Sequence, residues 1–202
     1  NSTRAEGNGQ NGYASSTGSA MNAVAALSKD NGQNGFAAWQ GGMLNASYHG
    51  PSGKFAVADH NGGQGFGAWL NATLNADAAT AKNNGADGFH INHGAVLSAD
   101  WIRVANPPPS DPTGESVVTT ALAENNGWGG FAAYHGSNMT ALAARAIGNT
   151  NAGFQSHVGS EMTLRQYGIE RYPIAEDNGG GGANAFLGGV LDAGGLVVTG
   201  GG

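Results

Sequence analysis

The chain has 202 residues, of which 37 are glycine and only 11% are charged, and its formal net charge is −6. Long regular helices are therefore not expected, and eight scattered Lys and Arg residues offer no basic face for nucleic acid. No apolar run reaches the roughly eighteen residues that a membrane-spanning helix needs. Cysteine is absent, which excludes disulfides and thiolate metal sites.

The chain opens with Asn-Ser-Thr and has neither an initiator Met nor an apolar signal core there, which is typical of a processed mature form, and hence of export, or of an excised fragment. Potential glycosylation acceptors begin at Asn1, Asn45, Asn71 and Asn138. In an exported eukaryotic protein such acceptors lie on exposed loops. We therefore expect a secreted chain that carries glycans, although a chain so rich in Asn, Ser and Thr contains some of these triplets by chance.

The main recurring element, taken in chain order, is a hexad of the form Asn-Gly-x-x-Gly-aromatic. Copies stand at 8–13, 31–36, 61–66, 84–89 and 126–131, with weaker copies at 149–154 and before Phe186. Asn-Gly and Gly-Gly steps permit the positive φ of tight hairpin turns, and the aromatic residue would begin a strand. The segments 36–48 and 66–76 alternate partly between apolar and small residues, which favours strands. Two Ala-rich segments, 21–29 and 139–148, have helical spacing instead.

The aromatic residues of these hexads are separated by 23, 30, 23, 42, 23 and 32 residues, so short and long spacings alternate. This alternation predicts one domain over 1–202 whose unit is a pair of hexads, with about three and a half units in the chain. The predicted units are 6–58, 59–123, 124–175 and a partial unit at 176–202. A Pro-rich insertion at 106–113 lengthens the second unit and is expected on the surface.

The segment KFAVADHNGGQGFGAW (54–69), followed by AKNNGADGF (81–89), resembles the FG-GAP or VCBS repeat, and ALAENNGWGGFAAY (121–134) repeats the same order. The spacing is also similar to that of fungal propeller lectins. The resemblance implies an all-β, β-propeller-like array of about three and a half blades, with a β-sandwich as the structural alternative. Since a closed propeller needs about four blades or more, a homo-oligomer that completes the ring is one option.

The resemblance also implies calcium in loops where an acidic residue precedes the Asn of a hexad. Calcium takes about six to eight oxygen ligands, and a carboxylate, an Asn amide and turn carbonyls supply some of them. The candidate ligands are Asp59, Asn61, Glu124, Asn126, Asp30 and Asp177. Each loop has a single carboxylate, so plain turns are the alternative interpretation.

Three residues after an aromatic anchor stand Trp39, Trp69 and Tyr134, which on a strand point to the face opposite the anchor. Exposed rings beside amides and carboxylates would stack on sugars and bind their hydroxyl groups. This predicts a lectin-like module for glycans or another surface ligand. The alternative is a structural or adhesive extracellular repeat protein in which the rings only pack against each other.

Enzyme signatures are weak, and we expect no enzyme. PTGES (112–116) and LRQYGIERYP (164–173) are distantly similar to the paired motifs of acid phosphatases and vanadium haloperoxidases, which gives a remote alternative. Where that family has histidine, this chain has Glu115 and Glu170, which would repel an oxyanion. His90 and His93 are three residues apart, so on a strand they lie on opposite faces and do not share a metal.

Overall fold

The structure is a computed structural model that describes residues 3–48, 54–104, 117–166 and 171–200. The regular elements of these residues are strands of three or four residues, for example β1 and β2. The first eight are β1 (Arg4–Glu6), β2 (Tyr13–Ser16), β3 (Ala20–Asn22), β4 (Leu27–Lys29), β5 (Phe36–Trp39), β6 (Met43–Asn45), β7 (Val57–Asp59) and β8 (Phe66–Trp69).

The next eight strands are β9 (Thr73–Asn75), β10 (Thr80–Lys82), β11 (Phe89–Asn92), β12 (Val96–Ser98), β13 (Ile102–Val104), β14 (Val117–Thr119), β15 (Leu122–Glu124) and β16 (Phe131–Ala133). The last eight are β17 (Asn138–Thr140), β18 (Arg145–Ile147), β19 (Phe154–His157), β20 (Glu161–Thr163), β21 (Ile174–Glu176), β22 (Ala183–Phe186), β23 (Val190–Asp192) and β24 (Val197–Thr199).

These strands form three long parallel sheets and one short antiparallel pair, β13 with β14. Sheet 1 has the order β1-β4-β7-β10-β15-β18-β21-β24, sheet 2 the order β2-β5-β8-β11-β16-β19-β22, and sheet 3 the order β3-β6-β9-β12-β17-β20-β23. Each turn of the coil, here called a rung, starts at the Asn of a hexad and gives one strand to sheet 2, then sheet 3, then sheet 1. The protein is therefore a parallel β-helix, also called a β-solenoid.

The predicted β-propeller and its alternative, the β-sandwich, are both wrong, and so is the resemblance to FG-GAP or VCBS repeats. Consecutive strands belong to different sheets, and each strand pairs in parallel with the equivalent strand of the next rung, as Phe36 does with Phe66. The hexads are therefore corners of the coil and not hairpin turns. The positive φ falls on the residue before the Asn, as at Asp30 (+53°), where the chain turns from sheet 1 into the corner.

The Ala-rich segments with helical spacing contribute to strands β3 and β4 and to β17 and β18. Each of these segments has a residue with positive φ between its strands, Ala25 (+53°) and Ala143 (+53°). A sharp corner inside a short Ala-rich stretch gives apolar positions a spacing similar to that of a helix. Tertiary packing thus overrides the helical propensity of alanine here.

The repeating unit is one rung of 23 residues, and the longer spacings are rungs with an insertion. Ladder-forming Asn residues of successive rungs are 23, 30, 23, 42, 23 and 29 residues apart. Each insertion falls at the corner between sheet 3 and sheet 1, and every second rung has one, so each predicted unit of two hexads spans two rungs. The Pro-rich insertion at 106–113 lies outside the described residues.

A buried ladder of Asn side chains runs along the corner between sheets 1 and 2. The Oδ1 of Asn84 accepts hydrogen bonds from the Nδ2 (2.9 Å) and backbone N–H (3.1 Å) of Asn61, while its Nδ2 donates to Asn126 Oδ1 (3.0 Å) and Ala58 O (3.2 Å). The same pattern repeats at Asn31 and Asn149. Each amide thus satisfies backbone groups that the corner leaves without a sheet partner.

The core inside the coil is stacked in register. Sheet 2 contributes a column of aromatic rings, sheet 3 a column of Leu and Met, and sheet 1 mostly Ala. The rings are Tyr13, Phe36, Phe66, Phe89, Phe131 and Phe154, with centroids 4.6 to 5.1 Å apart. Because identical side chains stack, each rung buries its apolar face against its neighbours.

The rungs stack as an open coil, so the premise of a homo-oligomer that completes a propeller ring no longer applies. Within the described ranges, we find no helix with the length and apolar character needed to cross a membrane.

Candidate ligand-binding site

The outward face of sheet 2 carries aromatic, imidazole and amide side chains. Along β5, Phe36 and Ala38 point into the core, while Ala37 and Trp39 point outward. The register therefore gives two outward rows. Row 1 is Ala14, Ala37, Gly67, His90, Ala132, Gln155 and Asn184. Row 2 is Ser16, Trp39, Trp69, Asn92, Tyr134, His157 and Phe186, where Tyr134 directly follows β16 and its N–H donates to Ile91 O (2.9 Å).

Outward rings form a continuous column across these rows, which we call the aromatic stripe. It consists of Trp39, Trp69, His90, Tyr134, His157 and Phe186. Successive ring centroids are 5.6, 5.6, 5.2, 4.8 and 4.8 Å apart, and neighbouring planes differ by 20° to 34°. The stripe therefore brings together the three ring positions that the sequence singled out, Trp39, Trp69 and Tyr134, and adds two imidazoles and a Phe.

In three rungs the row 1 residue beside the ring is small, namely Ala37, Gly67 and Ala132. A Cβ added at Gly67 would collide with the benzo ring of Trp69, which leans back over that glycine. In the next rung, row 2 has Asn92 in place of a ring, and the row 1 residue His90 supplies the ring instead. The column thus shifts by one row without a gap.

Beside the stripe lies an open pocket of about 420 Å³, within the size range of small-molecule sites. Its lining is contributed by Gln64, Asp87, His90, Asn92, Trp128, Tyr134, Asn151, Gln155 and His157. The indole of Trp128 is 57% exposed. None of these lining residues is Lys or Arg, so the negative charge of Asp87 is the formal charge of the pocket lining.

Asp87 is a buried carboxylate, only 1% exposed, held in a fixed orientation. Its Oδ1 accepts a hydrogen bond from the Gly129 backbone N–H (2.7 Å), and its Oδ2 is 2.9 Å from His90 Nδ1. In the first rungs the equivalent position holds an amide ladder, in which Asn34 donates to Asn11 Oδ1. A carboxylate has taken the place of an amide in this rung.

Gln155 is the buried polar side chain of the pocket whose hydrogen bonds are incomplete. It is 3% exposed, and its Nε2 has no hydrogen-bond partner among the described residues. Its Oε1 is 3.4 Å from His157 Nε2. A buried N–H without an acceptor costs about 1–3 kcal/mol, which makes it a position where a ligand oxygen would be favourable.

The titration of two stripe residues follows from this environment. Burial, with the charge of Asp87 as a smaller cause, raises the pKa of Tyr134 to about 12, so its hydroxyl stays protonated at neutral pH. Burial lowers the pKa of His157 and so favours the neutral imidazole, while the charge of Asp87 has the opposite, smaller effect.

Alkaline titration tests this placement of Tyr134. The unfolded chain would ionise Tyr134 near its ordinary pKa of 10, so the folded protein should lose stability between about pH 10 and about pH 12. Tyrosinate absorbance should show one late step that the Tyr134→Phe variant lacks. The same late step in Tyr134→Phe, or ionisation of every tyrosine near pH 10 in the folded protein, would contradict the buried setting.

The predicted calcium ligands lie along the corner between sheets 1 and 2 but do not form a set of free oxygens. Asn61 Oδ1 and Asn126 Oδ1 each accept two hydrogen bonds from the preceding ladder Asn. Within the described ranges, no group of three or more His, Cys, Asp or Glu is placed to hold a metal ion. These two amide oxygens are therefore already engaged in the ladder, and calcium stays a prediction from the sequence.

The carboxylates of that set have other neighbours. Asp59 lies beside Lys82 (3.8 Å) and accepts a hydrogen bond from Asn83 (3.1 Å). Burial alone would raise its pKa, but the Asn83 and His60 hydrogen bonds and the Lys82 charge together lower it. Asp30 is paired with Lys29 (3.6 Å), Glu124 ends β15, and Asp177 is exposed.

Among the glycosylation acceptors, Asn71 and Asn138 are exposed. Asn45 is partly buried and accepts a hydrogen bond from Ser47 Oγ (2.7 Å). Asn1 lies outside the described residues, as do Glu115 and Glu170 of the remote phosphatase-like alternative.

The sequence did not single out Asp87, Trp128, Gln155 and His157 as site residues. His90 was considered only as a metal ligand together with His93. A signal was present, because these residues depart from their own repeat. Trp128 stands in NGWGGF where the other hexads have Gln, Gly, Ala or Asn, and Asp87 stands in NGADGF where they have Asn, Gln, Gly or Ala. On a scaffold of repeated rungs, a residue that breaks the pattern marks a position with a role of its own.

No protein-family model, curated protein or solved structure matches this chain. Its class therefore follows from its own geometry: a parallel β-helix with an outward aromatic stripe and an adjoining polar pocket.

Proposed function

We propose that this chain is a secreted, lectin-like carbohydrate-binding module that holds a glycan along the aromatic stripe. The observation that carries the proposal is the unbroken column of outward rings over six rungs. With strands about 4.8 Å apart, the stripe is about 24 Å long, which is longer than a single sugar ring. A repeated aromatic surface of this length suits a repeated ligand such as an oligosaccharide.

The geometry of the rings limits which surfaces a sugar can touch. Trp39 and Trp69 stack on each other, so most of the stripe offers ring edges and tilted upper faces to solvent. Trp39 has one face without a ring neighbour, because its register partner in the first rung is Ser16. Trp128 offers an indole that is more than half exposed at the pocket. These two indoles are the best candidates for stacking on the C–H faces of sugars.

Binding and mutation together test the proposal. The protein should bind at least one class of oligosaccharide on a glycan array, and the Trp39→Ala and Trp128→Ala variants should each bind it about tenfold or more weakly by calorimetry. Met43→Ala is the matched control, because Met43 is exposed in the same rung as Trp39 but lies on sheet 3. No binding to any glycan on the array, or an equal loss of affinity in Met43→Ala, would contradict the proposal.

The second candidate is a structural or adhesive rod without a small ligand. The observation that favours it is the self-packing of the stripe, since stacked rings stabilise neighbouring rungs as the internal Phe column does. The same Trp39→Ala variant separates the two functions. A structural role predicts a clear loss of unfolding free energy with no glycan bound by the wild type, whereas a binding role predicts lost affinity with little change in stability.

Secretion and calcium assistance are further parts of the proposal that rest on the sequence. A native mass that includes glycans on Asn71 or Asn138 would support export. Glycan titrations repeated after chelation test calcium, and affinity that is unchanged by chelation would remove calcium from the proposal.

A further inference from the structure

The pocket beside the stripe is the place where the repeat is least regular. Trp128 replaces a small or amide residue at its corner position, and Asp87 replaces an amide or glycine at the neighbouring one. In row 1, Gln155 stands where the preceding rung has Ala132 and where the second and third rungs have Ala37 and Gly67. These exceptions come from three different rungs, yet their side chains line one pocket.

The hydrogen-bonding capacity of this pocket is incomplete without a ligand. The Nε2 of Gln155 is buried and unpartnered among the described residues, and it lines the pocket. Asp87 has one protein donor on each oxygen, which leaves each oxygen a further lone pair. A ligand that both accepts and donates hydrogen bonds would satisfy the amide and the carboxylate together, as vicinal hydroxyl groups do.

The charge of the wall restricts the ligand further. Asp87 is held by Gly129 and His90 in a pocket whose lining contains no Lys or Arg. An anionic ligand, such as a uronic acid or a sulfated sugar, would place like charges close together in a partly buried site, which is unfavourable. A neutral sugar has no such cost.

We infer that this pocket is the specificity subsite of the glycan-binding face and takes one uncharged sugar residue, with Gln155 Nε2 donating to a ligand oxygen and Asp87 accepting from a hydroxyl. The inference rests on the proposed function and adds to it the ligand class and the residues that select it. Trp128 covers the apolar face of that sugar at the mouth of the pocket.

The experiment compares two probes, neutral oligosaccharides (β-1,4-linked hexamers of glucose, mannose and xylose) and the anionic hexamer of galacturonate. The variants are Gln155→Met, which keeps the length of the side chain without its donor, and Asp87→Asn, which removes the charge at a position where Asn34 stands in another rung. Glu161→Gln is the control, because Glu161 is an exposed carboxylate of the same rung as Gln155 on sheet 3.

Wild type should bind a neutral hexamer and should bind galacturonate at least about tenfold more weakly. Gln155→Met should weaken binding of the neutral hexamer about tenfold, which is about 1.4 kcal/mol, because the ligand loses one buried hydrogen bond. Asp87→Asn should reduce the difference in affinity between the neutral and the anionic hexamer. Glu161→Gln should leave both affinities unchanged. Circular dichroism confirms that each variant is folded.

The outcomes separate the two proposals. If wild type binds none of the probes and no glycan on the array, the proposed function fails. If wild type binds a glycan but Gln155→Met binds it equally well, or if galacturonate is preferred and Asp87→Asn does not change the preference, the subsite assignment alone is overturned.

Discussion

Replacing Asn84 by leucine is expected to lower the free energy of unfolding by about 3 kcal/mol or more. The substitution removes the acceptor of Asn61 Nδ2 and of the Asn61 backbone N–H, and it removes the donor to Asn126 Oδ1 and to Ala58 O. All of these groups are buried, so the four hydrogen bonds are lost without replacement by water, although Asn126 Oδ1 keeps the Asn84 backbone N–H and Asn61 Nδ2 keeps Ser28 O. Urea unfolding followed by circular dichroism measures the loss.

The matched control is Asn8→Leu, at the first position of the same ladder. Asn8 is exposed and donates to Asn31 Oδ1, but within the described ranges no other ladder Asn donates to it. Its loss should cost less than about 1 kcal/mol. Equal losses in the two variants would mean that burial of the Asn ladder does not stabilise the corner.

Replacing Phe89 by alanine is expected to cost about 3–5 kcal/mol, the range found for buried Phe. Phe89 is 0% exposed and stacks on Phe66 (5.0 Å) and on Phe131 (4.6 Å), so both of its faces are covered by rings of the adjacent rungs. The resulting cavity would lie in the middle of the coil, where neighbouring rungs cannot collapse independently.

Phe186→Ala is the control for this second change, because the Phe186 ring is 48% exposed in the last rung and stacks on His157 alone among the described residues. Thermal and urea unfolding should show a loss below about 1 kcal/mol for this variant. A smaller loss in Phe89→Ala than in Phe186→Ala would contradict the internal ring column.

The sequence predicted an all-β repeat protein but not its topology. Asn-Gly followed by an aromatic residue is compatible with a hairpin turn and with the corner of a coil, and the local residues do not distinguish them. The deciding information is long-range, because Asn61 finds its partner 23 residues away in Asn84 and 30 residues away in Asn31. Insertions in alternate rungs also make the spacing alternate, so the single 23-residue period was interpreted as a two-hexad unit.

The site was only partly predictable for the same reason. Strand alternation placed Trp39, Trp69 and Tyr134 on the face opposite the Phe column, since period-two geometry depends on local sequence alone. The pocket residues Asp87 and Gln155 come from rungs four and six, and only parallel stacking brings them together. The ladder role of Asn61 and Asn126 was not predicted, because ladder burial cannot be recognised within one loop.

The most direct test of glycan binding on sheet 2 is a two-dimensional amide NMR titration of the full chain with the tightest-binding neutral oligosaccharide. The account predicts shifts of the indole N–H signals of Trp39 and Trp128 and of the Gln155 side-chain amide, with the sheet 3 residues Met43 and Thr73 unchanged. Shifts confined to sheet 3, or no shifts at a saturating concentration, would contradict it.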